Sequence, residues 1–79
     1  MLNDLTFGKK VVGIKQLRKV IANDSVKRVF LACDADPFLT DPVRRLCEEK
    51  NIVIVDVPTM TELGRACGIS VSASAAGLL

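Results

Sequence analysis

The sequence has no histidine, no tryptophan and no tyrosine, and only three phenylalanines among its 79 residues. Without histidine the usual general base is missing, which excludes Ser–His and Cys–His catalysis. Cys33, Cys47 and Cys67 are odd in number and widely spaced, with no C-x-x-C pair. With no histidine beside them, they exclude both a disulfide framework and a zinc site. Three buried thiols in a reducing compartment are expected instead. Phe7, Phe30 and Phe38 are the whole aromatic inventory, too few for a sheet that stacks bases in the RRM or OB manner. An RNA ligand would have to be held by groove hydrogen bonds, backbone contacts and aliphatic packing. No apolar run approaches the ~18 residues of a membrane span. The opening "MLNDLTFGKK" has no charged region followed by an apolar core, so no signal peptide is expected and the cytoplasm is the expected location. No cofactor and no metal are expected.

What is present is a chain that is 49% apolar, which argues for a folded unit rather than disorder. Its length fits a single domain over residues 1–79, one that buries only about 60–65% of its unfolded surface. Charge is unevenly spread. Residues 1–28 carry seven basic side chains (Lys9, Lys10, Lys15, Arg18, Lys19, Lys27, Arg28) against Asp4 and Asp24, a balance of +5. Residues 29–79 carry four basic side chains against seven acidic ones, a balance of −3. A basic end on a slightly acidic body points to a polyanionic partner.

Along the chain, "LNDLTF" reads as a short helix and "KKVVG" as a strand closed by Gly13. In "IKQLRKVIA", Ile14, Leu17, Val20 and Ile21 recur at helical spacing, leaving Lys15, Gln16, Arg18 and Lys19 on the polar face. "NDS" breaks this helix, and "VFLAC" is apolar on both faces, as a covered central strand must be. Pro37 and "TDP" bracket a loop, after which Thr40 or Asp41 caps a helix with Pro42 at its first position. That helix ends near Lys50 and Asn51, and "IVIVDV" is the next strand. Thr59 to Glu62 forms a capping box for a last helix that Gly68 terminates. "ISVSASAAGLL" alternates small polar with apolar residues, as a final edge strand does. Strict alternation of helix and strand predicts an α/β fold, four strands sandwiched between helices.

Two stretches could carry chemistry. In "VFLACDADP", Asp34 and Asp36 follow a buried strand, as the nucleophile and acid of a magnesium-dependent phosphohydrolase would. Such enzymes are usually far longer and need further acids from other strand ends, where only Asp56 is on offer. A polar strand-to-helix loop explains the same letters. In "GKKVVGIKQLRK", Gly13 stands between strand and helix, where the lack of a Cβ lets a polyanion approach the backbone. The helix start adds unpaired N–H groups and the positive end of a dipole. No second glycine follows, so a dinucleotide fingerprint is excluded.

Taken in order, "VVGIKQLRK", "RVFLACDADP", "LCEEKNIVIVDV" and "ELGRACGI" resemble the kink-turn RNA-binding family of ribosomal proteins L7Ae and L30e, and most of all its short bacterial YbxF-like type. The resemblance runs from about Phe7 to Leu79. It implies a three-layer α/β/α sandwich around a mixed four-stranded sheet, and a non-catalytic, monomeric RNA-binding protein. The implied target is a kink-turn in ribosomal or structured regulatory RNA, with the ribosome as a possible setting. In the family the segment Gly-x-Asn-Glu-x-x-Lys reads sheared G·A pairs. Gly13 and Lys19 match it, Lys15 stands in place of Asn and Gln16 in place of Glu, with Arg18 beside them. The loop after the last helix, whose aliphatic residues pack on an extruded nucleotide, corresponds to Ile69, Ser70, Val71 and Ser72. The competing expectations are the phosphohydrolase of Asp34 and Asp36, and a protein-interaction module that has lost RNA. A buried or ion-paired Lys19 would favour the latter.

Overall fold

Among the described residues, Gly13 is the first at which the backbone departs from ordinary L-residue geometry, with φ at +103°, and it divides strand β1 (Lys10–Val12) from helix α1 (Ile14–Ala22). The computed structural model describes residues 8–79, so the helix expected over "LNDLTF" lies outside the described residues. After α1 come β2 (Arg28–Ala32), α2 (Pro37–Lys50), β3 (Val53–Val57), α3 (Met60–Ala66) and β4 (Ala75–Leu78). The sheet order is β1-β4-β2-β3. β2 and β3 are parallel, and β4 runs antiparallel to both β1 and β2. Hence β1, β2 and β3 point the same way, and the sheet is mixed.

Because side chains alternate across a strand, β2 buries Val29 and Leu31 on one face and Phe30 and Ala32 on the other. Leu17 and Ile21 of α1 join Val43 and Cys47 of α2 over the first face, with Ala75 of β4 beneath them. Leu63 and Cys67, from α3 and its end, cover the second face with Phe30, Val57 and Ala76. Among the described residues, two helices on one side and one on the other make the three-layer α/β/α sandwich. Each fully buried large side chain, such as Phe30, Leu17 or Leu63, contributes about 1.5–3 kcal/mol.

Three expectations are corrected. The last strand is not at an edge: β4 lies between β1 and β2. Only Ala75–Leu78 are extended, and they are small or apolar and largely buried, so helices on both sides can sit close to them. The stretch 69–74, whose alternation looked like a strand, is loop. Second, α2 begins at Pro37 rather than near Pro42. Asp36 is its cap, accepting the Phe38 N–H at 3.0 Å, and Pro42 sits inside the helix. Third, Cys33 is exposed, while Cys47 and Cys67 are buried.

Candidate nucleic-acid interface

Parallel β1, β2 and β3 place the starts of α1, α2 and α3 along one edge of the sheet, and antiparallel β4 brings the 69–74 loop to the same edge. Ligands of open α/β sheets bind outside such strand ends. One joint at this edge is the backbone bond from Gly13 N–H to Ala75 O, 2.9 Å. It sets the glycine-led start of α1 directly beside the end of the loop.

On the α1 side, the first intrahelical bond is Leu17 N–H to Gly13 O, 3.0 Å. The N–H groups of Ile14, Lys15 and Gln16 therefore have no acceptor within the helix. No side chain caps this end, and no acidic residue stands in its first turn, so among the described residues neither a cap nor a first-turn carboxylate offsets its positive dipole end. A Cβ on Gly13 would meet nothing within 4 Å. The glycine serves its backbone angle, not the filling of space. Lys15, Gln16, Arg18 and Lys19 are all exposed, and Lys19 lies one turn beyond Lys15, about 6 Å along the axis.

Two cations elsewhere are paired. Arg44 donates to Asp56 at 2.7 Å and Lys50 to Asp24 at 2.8 Å, and the hydrogen bond that Arg44 makes to Asp56 keeps it even more firmly protonated than usual. Both pairs are substantially exposed and contribute about 0–1 kcal/mol each. Among the described residues, no ion pair engages Lys15, Arg18 or Lys19. Three cations without an ion pair thus stand together on the exposed face of α1.

On the loop side, α3 ends in two bonds, Gly68 N–H to Arg65 O (3.0 Å) and Ile69 N–H to Gly64 O (3.1 Å), the pairing of a Schellman motif. Ala73 N–H to Met60 O (3.1 Å) and Ala32 N–H to Ser74 O (3.0 Å) tie down the far end of the loop. Between these ties the backbone of Val71 and Ser72 lies directly on Gly64. Ile69 is half-buried against the core of the α3 face, whereas Val71 projects outward, 68% exposed. Thr61, Arg65 and residues 69–72 line a cavity of about 400 Å³. Thr61 and Arg65 are absent from the sequence expectation. They stand one turn apart on α3, and Arg65 reads there as an ordinary cation at a helix C-terminus. Their meeting with the loop depends on the close approach at Gly64.

The two aspartates of "DADP" hold the scaffold. Asp34 accepts the Met60 N–H at 2.8 Å, at the start of α3, and Asp36 caps its own helix. Their carboxylates are committed to two different helix starts.

Comparison with known proteins agrees with this architecture. The family model described as Ribosomal protein L7Ae/L30e/S12e/Gadd45 matches residues 5–78. An RNA-binding protein of Bacillus pumilus is 45% identical over 69 residues, covering 87% of this chain and 84% of the relative. The RNA-binding protein YbxF of Geobacillus stearothermophilus is 35% identical over 75 residues, 95% of this chain and 92% of that one. Among solved structures, the Giardia lamblia 15.5kD RNA binding protein superposes with a TM-score of 0.91 at 28% identity, covering 98% of this chain and 68% of its own.

Proposed function

We propose, on the premise that the chain belongs to the ribosomal protein L7Ae/L30e/S12e/Gadd45 family, that it is a non-catalytic RNA-binding protein whose target is a kink-turn. The observation that carries this reading is the Gly13–Ala75 bond, which joins an uncapped, cationic helix start to an aliphatic loop. The free N–H groups of α1 and the ammonium groups of Lys15 and Lys19 would meet phosphates, or base edges in the groove, with Arg18 alongside. Gln16 offers an amide with both donor and acceptor, the pairing that a sheared G·A step needs. Ile69 and Val71 give a nucleotide turned out of the helix an apolar surface, and Ser70 and Ser72 give it hydroxyls. Thr61 and Arg65 close the other side of that cavity.

The exposed state of Lys19, with no ion pair among the described residues, counts against a domain that has turned wholly to protein contacts. A kink-turn in ribosomal or regulatory RNA would be bound by one copy of the 1–79 domain, acting in the cytoplasm and, where the RNA is ribosomal, on the ribosome. The test compares a kink-turn RNA with a copy whose tandem G·A pairs are replaced by Watson–Crick pairs. Preferential binding of the kinked RNA is expected. Equal affinity for both in the same salt would reduce the interaction to non-specific attraction and overturn the reading.

A further inference from the structure

The exposed face of α2 plays no part in the interface above, yet it carries the most exposed large apolar side chain among the described residues, Phe38 at 87%. Pro37, Phe38, Asp41, Pro42 and Arg45 line a depression of about 270 Å³. Positions 38, 41, 42 and 45 follow the i, i+3, i+4, i+7 spacing, so they form one stripe that starts at Phe38 in the first turn. That turn stands at the same sheet edge as the start of α1, because β1 and β2 point the same way. The two helices also share one layer, packed together through Leu17, Ile21, Val43 and Cys47. Phe38 and the start of α1 thus lie at one sheet edge and in one layer.

The stripe has a definite chemical order. An open aromatic face comes first, then the Asp41 carboxylate one turn on, then the Arg45 guanidinium one turn further. Both charged groups are exposed, and among the described residues no ion pair engages either. An apolar helix of a protein partner would cover Phe38 but leave Asp41 and Arg45 facing it unmatched, at a desolvation cost. A nucleotide matches all three: its base stacks on Phe38, its amino group donates to Asp41, and its phosphate meets Arg45. We propose that this depression is a second RNA-contact site, which takes one unpaired nucleotide flanking the RNA already bound at α1 and favours an amino-bearing base such as cytosine over uracil. The inference rests on the RNA-binding reading above.

The test uses a kink-turn RNA trimmed to its two stems, and the same RNA with a three-nucleotide cytosine extension at either end. The wild type is expected to bind one extended RNA roughly fivefold or more tightly than the trimmed one, the scale of one base stacked on an aromatic side chain. Phe38→Ala should lose that gain and keep its affinity for the trimmed RNA. Phe38→Trp, which restores a ring, should recover it, and a uridine extension should gain less. No gain with either extension, or a gain that survives Phe38→Ala, overturns this inference and leaves the kink-turn reading standing. Failure to bind even the trimmed RNA overturns the kink-turn reading itself. If the extensions bring no gain and sedimentation instead shows a dimer that Phe38→Ala dissolves, the patch is a protein contact and the inference is overturned.

Discussion

An alanine at position 64 would press its Cβ onto the Val71 carbonyl oxygen, with Ser72 Cα only 3.0 Å away. Both neighbours are backbone, so neither can yield by turning a side chain. Alanine favours a helix over glycine by about 1 kcal/mol, but overpacking of this kind costs about 1–3 kcal/mol, and the clash wins. Gly64→Ala is therefore expected to fold with a stability lower by up to about 2 kcal/mol, and, on the proposed function, to lose tenfold or more in affinity for a kink-turn, because the loop must lift away from Arg65 and Thr61. Denaturant melts and a binding titration measure both. A variant that is more stable than wild type, with affinity unchanged, would show that the loop does not rest on α3. Here a position with no side chain governs a surface built from other residues. That is why the loop residues could be read from sequence, by resemblance, while Thr61 and Arg65 could not. Nothing in "TELGRAC" marks the glycine as a seat for residues 71 and 72.

At the scale of elements, Asp34 and Asp36 organise two helices at once. Asp36→Ala removes the cap of α2 and should lower stability by about 1 kcal/mol. Asp34→Ala breaks a charge-assisted bond to Met60 N–H, which joins the β2–α2 loop to α3, and should cost about 1.5–3 kcal/mol. Chemical denaturation of the two variants measures the order. If Asp36→Ala proved the more damaging, the link from Asp34 to α3 would be the weaker tie. The start of α2 was misplaced by sequence reasoning for a physical reason. Pro37 and Pro42 both suit a first helical position, and Thr40 and Asp41 can each cap as well as Asp36. The true helix accepts a proline in its second turn, where it removes the bond that Phe38 O would otherwise receive. By contrast, α1 was legible throughout, since Gly13 precedes a clean apolar spacing with no rival start. β4 was legible as a strand but not as a central one, because alanine and glycine give no hydrophobic signal of burial. Their small size is what lets Leu17 of α1 approach Gly77.

For the molecule as a whole, the three thiols report on the closed state. Cys47 and Cys67 are buried, and burial pushes both thiols up from their ordinary pKa, so less of the reactive thiolate forms at neutral pH. Cys33 is exposed. A thiol reagent in excess should modify Cys33 rapidly in the native protein, and Cys47 and Cys67 only as the fold opens, with all three reacting together in denaturant. Rapid native labelling of three sites by mass spectrometry would contradict the packing of α2 and α3 on the sheet. Among the described residues β1 pairs only with β4, so the first strand described waits for the last, and the bond from Gly13 to Ala75 spans nearly the whole chain. During synthesis the emerging polypeptide can gather β2, α2, β3 and α3 as a parallel unit, but the slot between β1 and β2 stays empty until residues 75–78 arrive. Such non-local closure is slow. The RNA-facing edge is therefore incomplete until residues 75–78 have emerged: a nascent chain carries its lysines early, yet until then has no assembled surface on which to use them.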